Sequence, residues 1–171
     1  MFKDYLYNGK DKFKISKVST NETSLCKDKE DALEKMEKNE KKLDELQQKL
    51  YAEKKEGLII VIQAMDAAGK DGTITHVLQC LSPHGVYEAA FKAPTSTELA
   101  HDYLWRIMQK VPAKGEIAIF NRSHYEDVLI GKVKELYKLQ AHADRIDTEE
   151  IIEKRYKEIR HFEEYLYDNN V

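Results

Sequence analysis

The residues of this chain best suited to chemistry are two cations and a carboxylate: Lys70, Arg122 and Asp66. Phosphoryl transfer asks little covalent chemistry of a protein. It needs cations to position and neutralise phosphate oxygens, and a carboxylate to help hold a divalent metal. Lys70 follows Gly69 in Ala64-Met65-Asp66-Ala67-Ala68-Gly69-Lys70-Asp71-Gly72-Thr73, directly after the apolar run Leu58-Ile59-Ile60-Val61-Ile62 and Gln63. A small-residue loop between a strand and a helix turns backbone N–H groups and the helix N-terminus toward an anion, and Lys70 adds a point charge. The spacing is that of G-x-x-x-x-G-K-[ST], with Ala64 in the first Gly position and Asp71 in the Ser/Thr position. Ala64 adds one methyl group, which matters only if that position needs a positive φ or a very close approach to phosphate.

The elements that must position these residues follow from periodicity. Leu58–Ile62 reads as a buried strand, and a helix is expected from Asp71 to Leu81. Gly85–Phe91 has weak strand character. Thr95-Ser96-Thr97-Glu98 is a capping box, predicting a helix from about Ser96 to Gln109 with Leu99, Tyr103, Leu104, Ile107 and Met108 turned inward. Ile117–Phe120 is wholly apolar, as suits a strand covered on both faces. Phe120-Asn121-Arg122-Ser123 then lies at that strand's C-terminal end, the edge where open α/β sheets hold ligands, so Arg122 should face the same crevice as Asp66 and Lys70. Ser123-His124-Tyr125-Glu126 reads as a second capping box, starting a helix through about Lys134. It accounts for Glu126 by capping and for His124 by an exposed first turn, and neither these two nor Asp127 is assigned chemistry from the spacing.

A last helix, capped by Asp147 or Thr148, carries Ile152, Tyr156, Ile159, Phe162 and Leu166 on one face. Residues 28–55 read as a long charged helix with Leu33, Met36, Leu43, Leu46 and Leu50 in a narrow stripe. Residues 1–27 read as an extended arm, with Lys10, Lys12, Lys14 and Lys17 around Phe13 and Ile15. Strands alternating with helices make the class α/β with a parallel sheet of about three strands. The α/β core spans residues 57–171.

A chain of 171 residues, 35% charged and 42% hydrophobic, suits one soluble domain with a highly charged surface. Its net charge of -3 argues against a general nucleic-acid binder. Cys26 and Cys80 form no motif and fit a reducing compartment. No apolar stretch approaches a membrane span, and the start lacks a signal-peptide core, so a cytoplasmic protein is expected.

Four ordered segments together resemble the polyphosphate kinase 2 family. They are Ala64–Thr73, Phe91-Lys92-Ala93-Pro94, His101-Asp102-Tyr103-Leu104-Trp105-Arg106 and Phe120-Asn121-Arg122-Ser123-His124-Tyr125-Glu126-Asp127-Val128-Leu129. The resemblance implies a P-loop kinase-like three-layer sandwich that stops before the family's last core strand and basic helical lid. It implies transfer of a terminal phosphoryl group from inorganic polyphosphate to ADP or AMP, or the reverse, with Mg²⁺ as cofactor and Mn²⁺ as its alternative. In that reading Asp66 binds the metal, Lys70 grips the phosphates and Arg122 stabilises the transferring group. Ala67, Ala68, Gly69, Asp71, Gly72, Thr73 and Asn121 line the phosphate site, and Lys92 and Arg106 lie along the nucleotide or polyphosphate path. A homo-oligomer, dimer or tetramer, is the expected assembly. The competing expectation is an inert polyphosphate- or nucleotide-binding module that lacks the lid.

Overall fold

In a computed structural model, the structure describes residues 6, 7, 9, 12–19 and 23–171. The chain divides into two units, residues 1–39 and 40–171. In the first, Lys10 lies outside the described residues, while Lys12, Lys14 and Lys17 are exposed about a 3-10 turn at Ile15–Lys17.

The charged helix α1 spans Lys29–Glu53. It starts where the Asp28 carboxylate accepts from the Asp31 N–H at 2.8 Å, satisfying one of the free donors of a first turn. Its outer face carries i,i+4 pairs such as Lys38–Glu34. The expected apolar stripe forms in part: Met36, Leu43 and Leu50 are half-buried, whereas Leu33 and Leu46 are 56% and 51% exposed. Gln47 is the buried residue instead, because its amide Nε2 donates to the His84 carbonyl at 2.8 Å.

Three parallel strands follow in the order β1-β3-β2: β1 Leu58–Ile62, β2 Val86–Ala90 and β3 Ile117–Asn121. Leu58 and Val86 both pair with Ile117, so all three strands begin in step. The central strand, β3, is buried from Ile117 through Phe120, which explains its unbroken apolar run. The core gathers Phe91, Ile107, Ala118, Phe120, Phe162 and Leu166, with the Phe91 and Phe120 rings meeting edge-on at 4.9 Å. Gly85 enters β2 at φ +76°, and a side chain there would strike the Tyr51 ring of α1 at 2.5 Å.

The helices are shorter than their periodicity implies. α2 spans Lys70–Leu78, close to expectation. The Thr95–Glu98 capping box forms, yet the helix breaks into α3 Ser96–Leu99 and α4 Trp105–Met108. Between them Asp102 turns its carboxylate onto the Leu104 N–H at 3.0 Å, competing with helix continuation as Asp side chains do. Met108 is consequently 51% exposed rather than inward. Past β3, a 3-10 turn at His124–Asp127 and α5, Ile130–Val133, replace the expected single helix. The last helix, α6, spans Ile151–Asp168 and buries Ile151, Ile152, Arg155, Ile159, Phe162 and Leu166. Its first residues have no side-chain cap; Asp147 accepts from Glu149 N–H one turn too early. Tyr156 is 38% exposed, so Arg155 holds the inward place assigned to it. Among the described residues, no helix is long and apolar enough to cross a membrane.

Candidate active site

The loop between β1 and α2 is bent by two left-handed residues, Ala67 at φ 61° and Gly69 at φ 89°, the latter capping α2. Ala64 has no positive φ, so its extra methyl meets no backbone penalty. A Cβ at Gly69 or Gly72 would meet nothing within 4 Å, leaving the α2 entrance open to approach. Lys70 is only 9% exposed. Its ammonium folds back and donates to the carbonyls of Ala64 at 2.9 Å and Met65 at 2.8 Å. Thr73 spends its hydroxyl on the Gly69 carbonyl at 3.1 Å.

At the same edge of the sheet, β3 ends in Asn121 and Arg122. The Arg122 N–H donates to the Ile62 carbonyl at 3.1 Å, and the Phe91 N–H to the Asn121 carbonyl at 3.0 Å, latching all three strand ends together. Arg122 itself sits at φ 65°, a conformation that costs a non-glycine residue about 1 kcal/mol or more. Its guanidinium donates to the Asp66 carboxylate and lies 3.5 Å from Glu126. Asn121 donates to Asp71 at 2.8 Å and to Glu88 at 2.9 Å. Asp66, Ala67, Lys70, Asp71, Lys92, Asn121 and Arg122 together line a cleft of about 270 Å³. Ala68, Gly69, Gly72 and Thr73 stand outside that lining, on the loop and the first turn of α2.

Arg106 supports this cleft from behind. It is 8% exposed, donates to the Lys92 carbonyl at 2.8 Å, lies 5.7 Å from the Phe91 ring and 3.7 Å from Asp127. It thus holds the chain segment that carries Lys92, and it lines the neighbouring clefts together with Phe91 and Lys92.

A family model described as polyphosphate kinase 2 matches residues 26–171. The chain belongs to the polyphosphate kinase 2 family. It is 44% identical over 167 residues to an AMP/ADP-polyphosphate phosphotransferase of Meiothermus ruber, covering 97% of this chain and 59% of that protein. It is 38% identical to an ADP-polyphosphate phosphotransferase of Rhodopseudomonas palustris, covering 93% and 56%. Among solved structures, polyphosphate kinase 2 from Arthrobacter aurescens superposes with a TM-score of 0.81 at 38% identity, over 96% of this chain and 56% of the other. The chain therefore spans between half and two thirds of the length of these relatives.

Within this polyphosphate kinase 2 domain, three residues have other roles than their spacing indicated. Glu126 caps nothing with its side chain: Ser123 caps the turn by accepting from Tyr125 N–H at 3.1 Å, while the Glu126 carboxylate accepts from Gln63 and pairs with Arg122. His124 is 3% exposed, not on an exposed turn. Its Nε2 lies 3.2 Å from Glu163 of α6, and the Tyr125 hydroxyl donates to the same carboxylate oxygen at 2.6 Å. Those contacts, the one to His124 above all, hold the Glu163 carboxyl below its ordinary value. Asp127 lies between Arg106 at 3.7 Å and Arg155 at 3.6 Å. Desolvation pushes its carboxyl up, against the pull of the two arginines. Arg155, 4% exposed, takes an inward polar place on α6 that the spacing of apolar residues does not reveal.

Among the described residues no cluster of three or more His, Cys, Asp or Glu could enclose a metal. Asp66 offers a single carboxylate, 84% exposed. That fits Mg²⁺, which keeps several waters and is commonly held by one or two carboxylates together with substrate phosphates. Mn²⁺ accepts the same oxygen ligands.

Proposed function

We propose that the chain carries the phosphate-transfer site of a polyphosphate:nucleotide phosphotransferase, moving the terminal phosphoryl group of inorganic polyphosphate to ADP or AMP, or the reverse. The observation that carries this reading is the convergence of Asp66, Lys70 and Arg122, from two strand ends, on one cleft. The names of the Meiothermus and Rhodopseudomonas relatives support polyphosphate as one substrate and an adenine nucleotide as the other.

In the transfer, an oxygen of the acceptor's terminal phosphate forms a bond to the end phosphorus of polyphosphate. The bridging P–O bond to the next phosphate breaks, and the shortened chain leaves with that electron pair. Lys70 and Arg122 flank the cleft and stabilise charge on the transferring group. Arg122 is the stronger candidate for that group because its planar fork suits phosphate oxygens. Asn121 keeps the Asp71 and Glu88 carboxylates occupied beside the phosphate path. Lys92 continues the positive wall toward the outer cleft. Asp66 would hold Mg²⁺, which when bound neutralises phosphate charge.

The test is to incubate the full protein with polyphosphate, Mg²⁺ and ADP or AMP, and to measure nucleotide product by luminescence and chromatography. Product well above a Lys70→Ala control is expected. None above it would refute transfer, and polyphosphate binding without turnover would favour an inert binding module.

A further inference from the structure

Arg122 has two carboxylate partners of different kinds. Asp66 approaches its Nη2 from the loop between β1 and α2, with a side chain 84% exposed. Glu126 approaches its Nη1 from the 3-10 turn after β3, is 15% exposed and stands 3.5 Å away, an ion pair rather than a firm hydrogen bond.

Glu126 is also held from its other side. Its Oε1 accepts from Gln63, the residue after β1, while its Oε2 faces Arg122. A carboxylate only accepts, so Gln63 must present its Nε2–H₂ to Glu126 and its amide oxygen to Ser123, whose wholly buried hydroxyl donates to it at 3.3 Å. Gln63, Glu126, Arg122 and Ser123 thus close a ring across the ends of β1 and β3, the peptide between Arg122 and Ser123 being its last link. Glu126 does not line the phosphate cleft; it faces a neighbouring cleft of about 350 Å³, whereas Arg122 lines both. It can act on a phosphate in the first cleft through Arg122.

We infer that Glu126, braced by Gln63, is the positioning residue that keeps Arg122 aimed along the phosphate cleft once Asp66 has left it. The inference rests on the phosphotransferase reading, in which Asp66 goes to the metal, and goes beyond it by naming what then holds the arginine. The exposed partner is the one that can be given up. The buried partner stays, because its departure would strip Gln63 and Arg122 of an acceptor together. Nη1 remains against Glu126 while Nη2, freed from Asp66, donates to a phosphate oxygen.

The test is steady-state transfer from polyphosphate to ADP or AMP by the full protein and by Glu126→Gln, Gln63→Met, Arg122→Ala and the double variant of Glu126→Gln with Arg122→Ala. Calorimetric titration of inorganic tripolyphosphate accompanies it. Glu126→Gln and Gln63→Met should each lower kcat about 10- to 100-fold, the range for a misplaced group, with KM for polyphosphate changed less than about twofold. In the Arg122→Ala background, Glu126→Gln should change kcat by less than about twofold, because its effect has lost its carrier. Glu126→Gln keeps the side chain's shape, so it gives a result even if Gln63→Met disturbs the buried Ser123. Wild-type kcat in Glu126→Gln overturns the inference, as does a loss that persists in full without Arg122. Tripolyphosphate binding to Glu126→Gln that is tighter by more than about twofold, the mark of a direct charge effect, overturns it too. No transfer by the wild type refutes the phosphotransferase reading itself, and the inference with it.

Discussion

Arg122, at the end of β3, grips the carboxylate of Asp66, which lies beyond the end of β1, and does so from a left-handed backbone. The pairing neutralises two charges that the proposed reaction needs separately, one for phosphate and one for metal. Arg122→Gly would remove the guanidinium and relieve the left-handed strain together. Phosphoryl transfer should fall about 10³-fold, in the range lost with a charge-stabilising arginine. Thermal unfolding should move by no more than about 2 °C, strain relief offsetting the lost ion pairs. Paired activity and calorimetric scans check both halves.

Lys70 is held by two loop carbonyls, and an anion must draw it from them. Lys70→Ala should weaken tripolyphosphate binding about 10- to 100-fold, the worth of a charged hydrogen bond. It should also destabilise the protein by about 1–2 kcal/mol, because the Ala64 and Met65 carbonyls lose their donor. Titration calorimetry and urea unfolding measure the two effects.

Asp127 balances Arg106 and Arg155, both nearly inaccessible to solvent. Asp127→Asn strips two buried cations of their shared counter-charge and should cost about 3 kcal/mol. The urea midpoint should drop with an unchanged slope.

Glu163 gains its lowered pKa from His124 and Tyr125. A carboxyl whose folded value lies below its unfolded one stabilises the fold above the unfolded value, here 4.5, and loses that contribution as pH falls through the lowered folded value. Unfolding midpoints followed downward from pH 6 should therefore fall less steeply in Glu163→Gln than in the wild type.

Gly85→Ala tests the turn into β2. The new methyl would sit 2.5 Å from the Tyr51 ring on a backbone at φ +76°. Overpacking and left-handed strain together should cost about 3 kcal/mol. Tyr51→Ala in the same chain should restore part of that loss, as thermal scans would show.

The strand ends were legible because apolar runs in a parallel sheet are continuous: Leu58–Ile62 and Ile117–Asn121 stand almost where hydrophobicity put them. Asp66, Lys70 and Arg122 could be grouped for the same reason, since each follows a strand at its C-terminal end. Polar burial was not legible. Gln47, His124 and Arg155 are inside because of partners far along the chain, His84, Glu163 and Asp127, which no local pattern reveals. The broken helix at Ala100–Leu104 shows the converse: periodicity ran on through Asp102, whose side chain satisfied the backbone locally and ended the helix.

The middle position of β3 sets when the cleft can exist during folding. β1 and β2, neighbours in sequence, never touch as strands; each meets only β3. Asp66 and Arg122, 56 residues apart, therefore share no local route to one another. An emerging chain that has made β1, its loop and β2 possesses the phosphate loop but no opposing arginine. Because each outer strand pairs only with β3, the site is complete only when β3 makes both ladders, and any fluctuation that frees β3 parts Asp66 from Arg122.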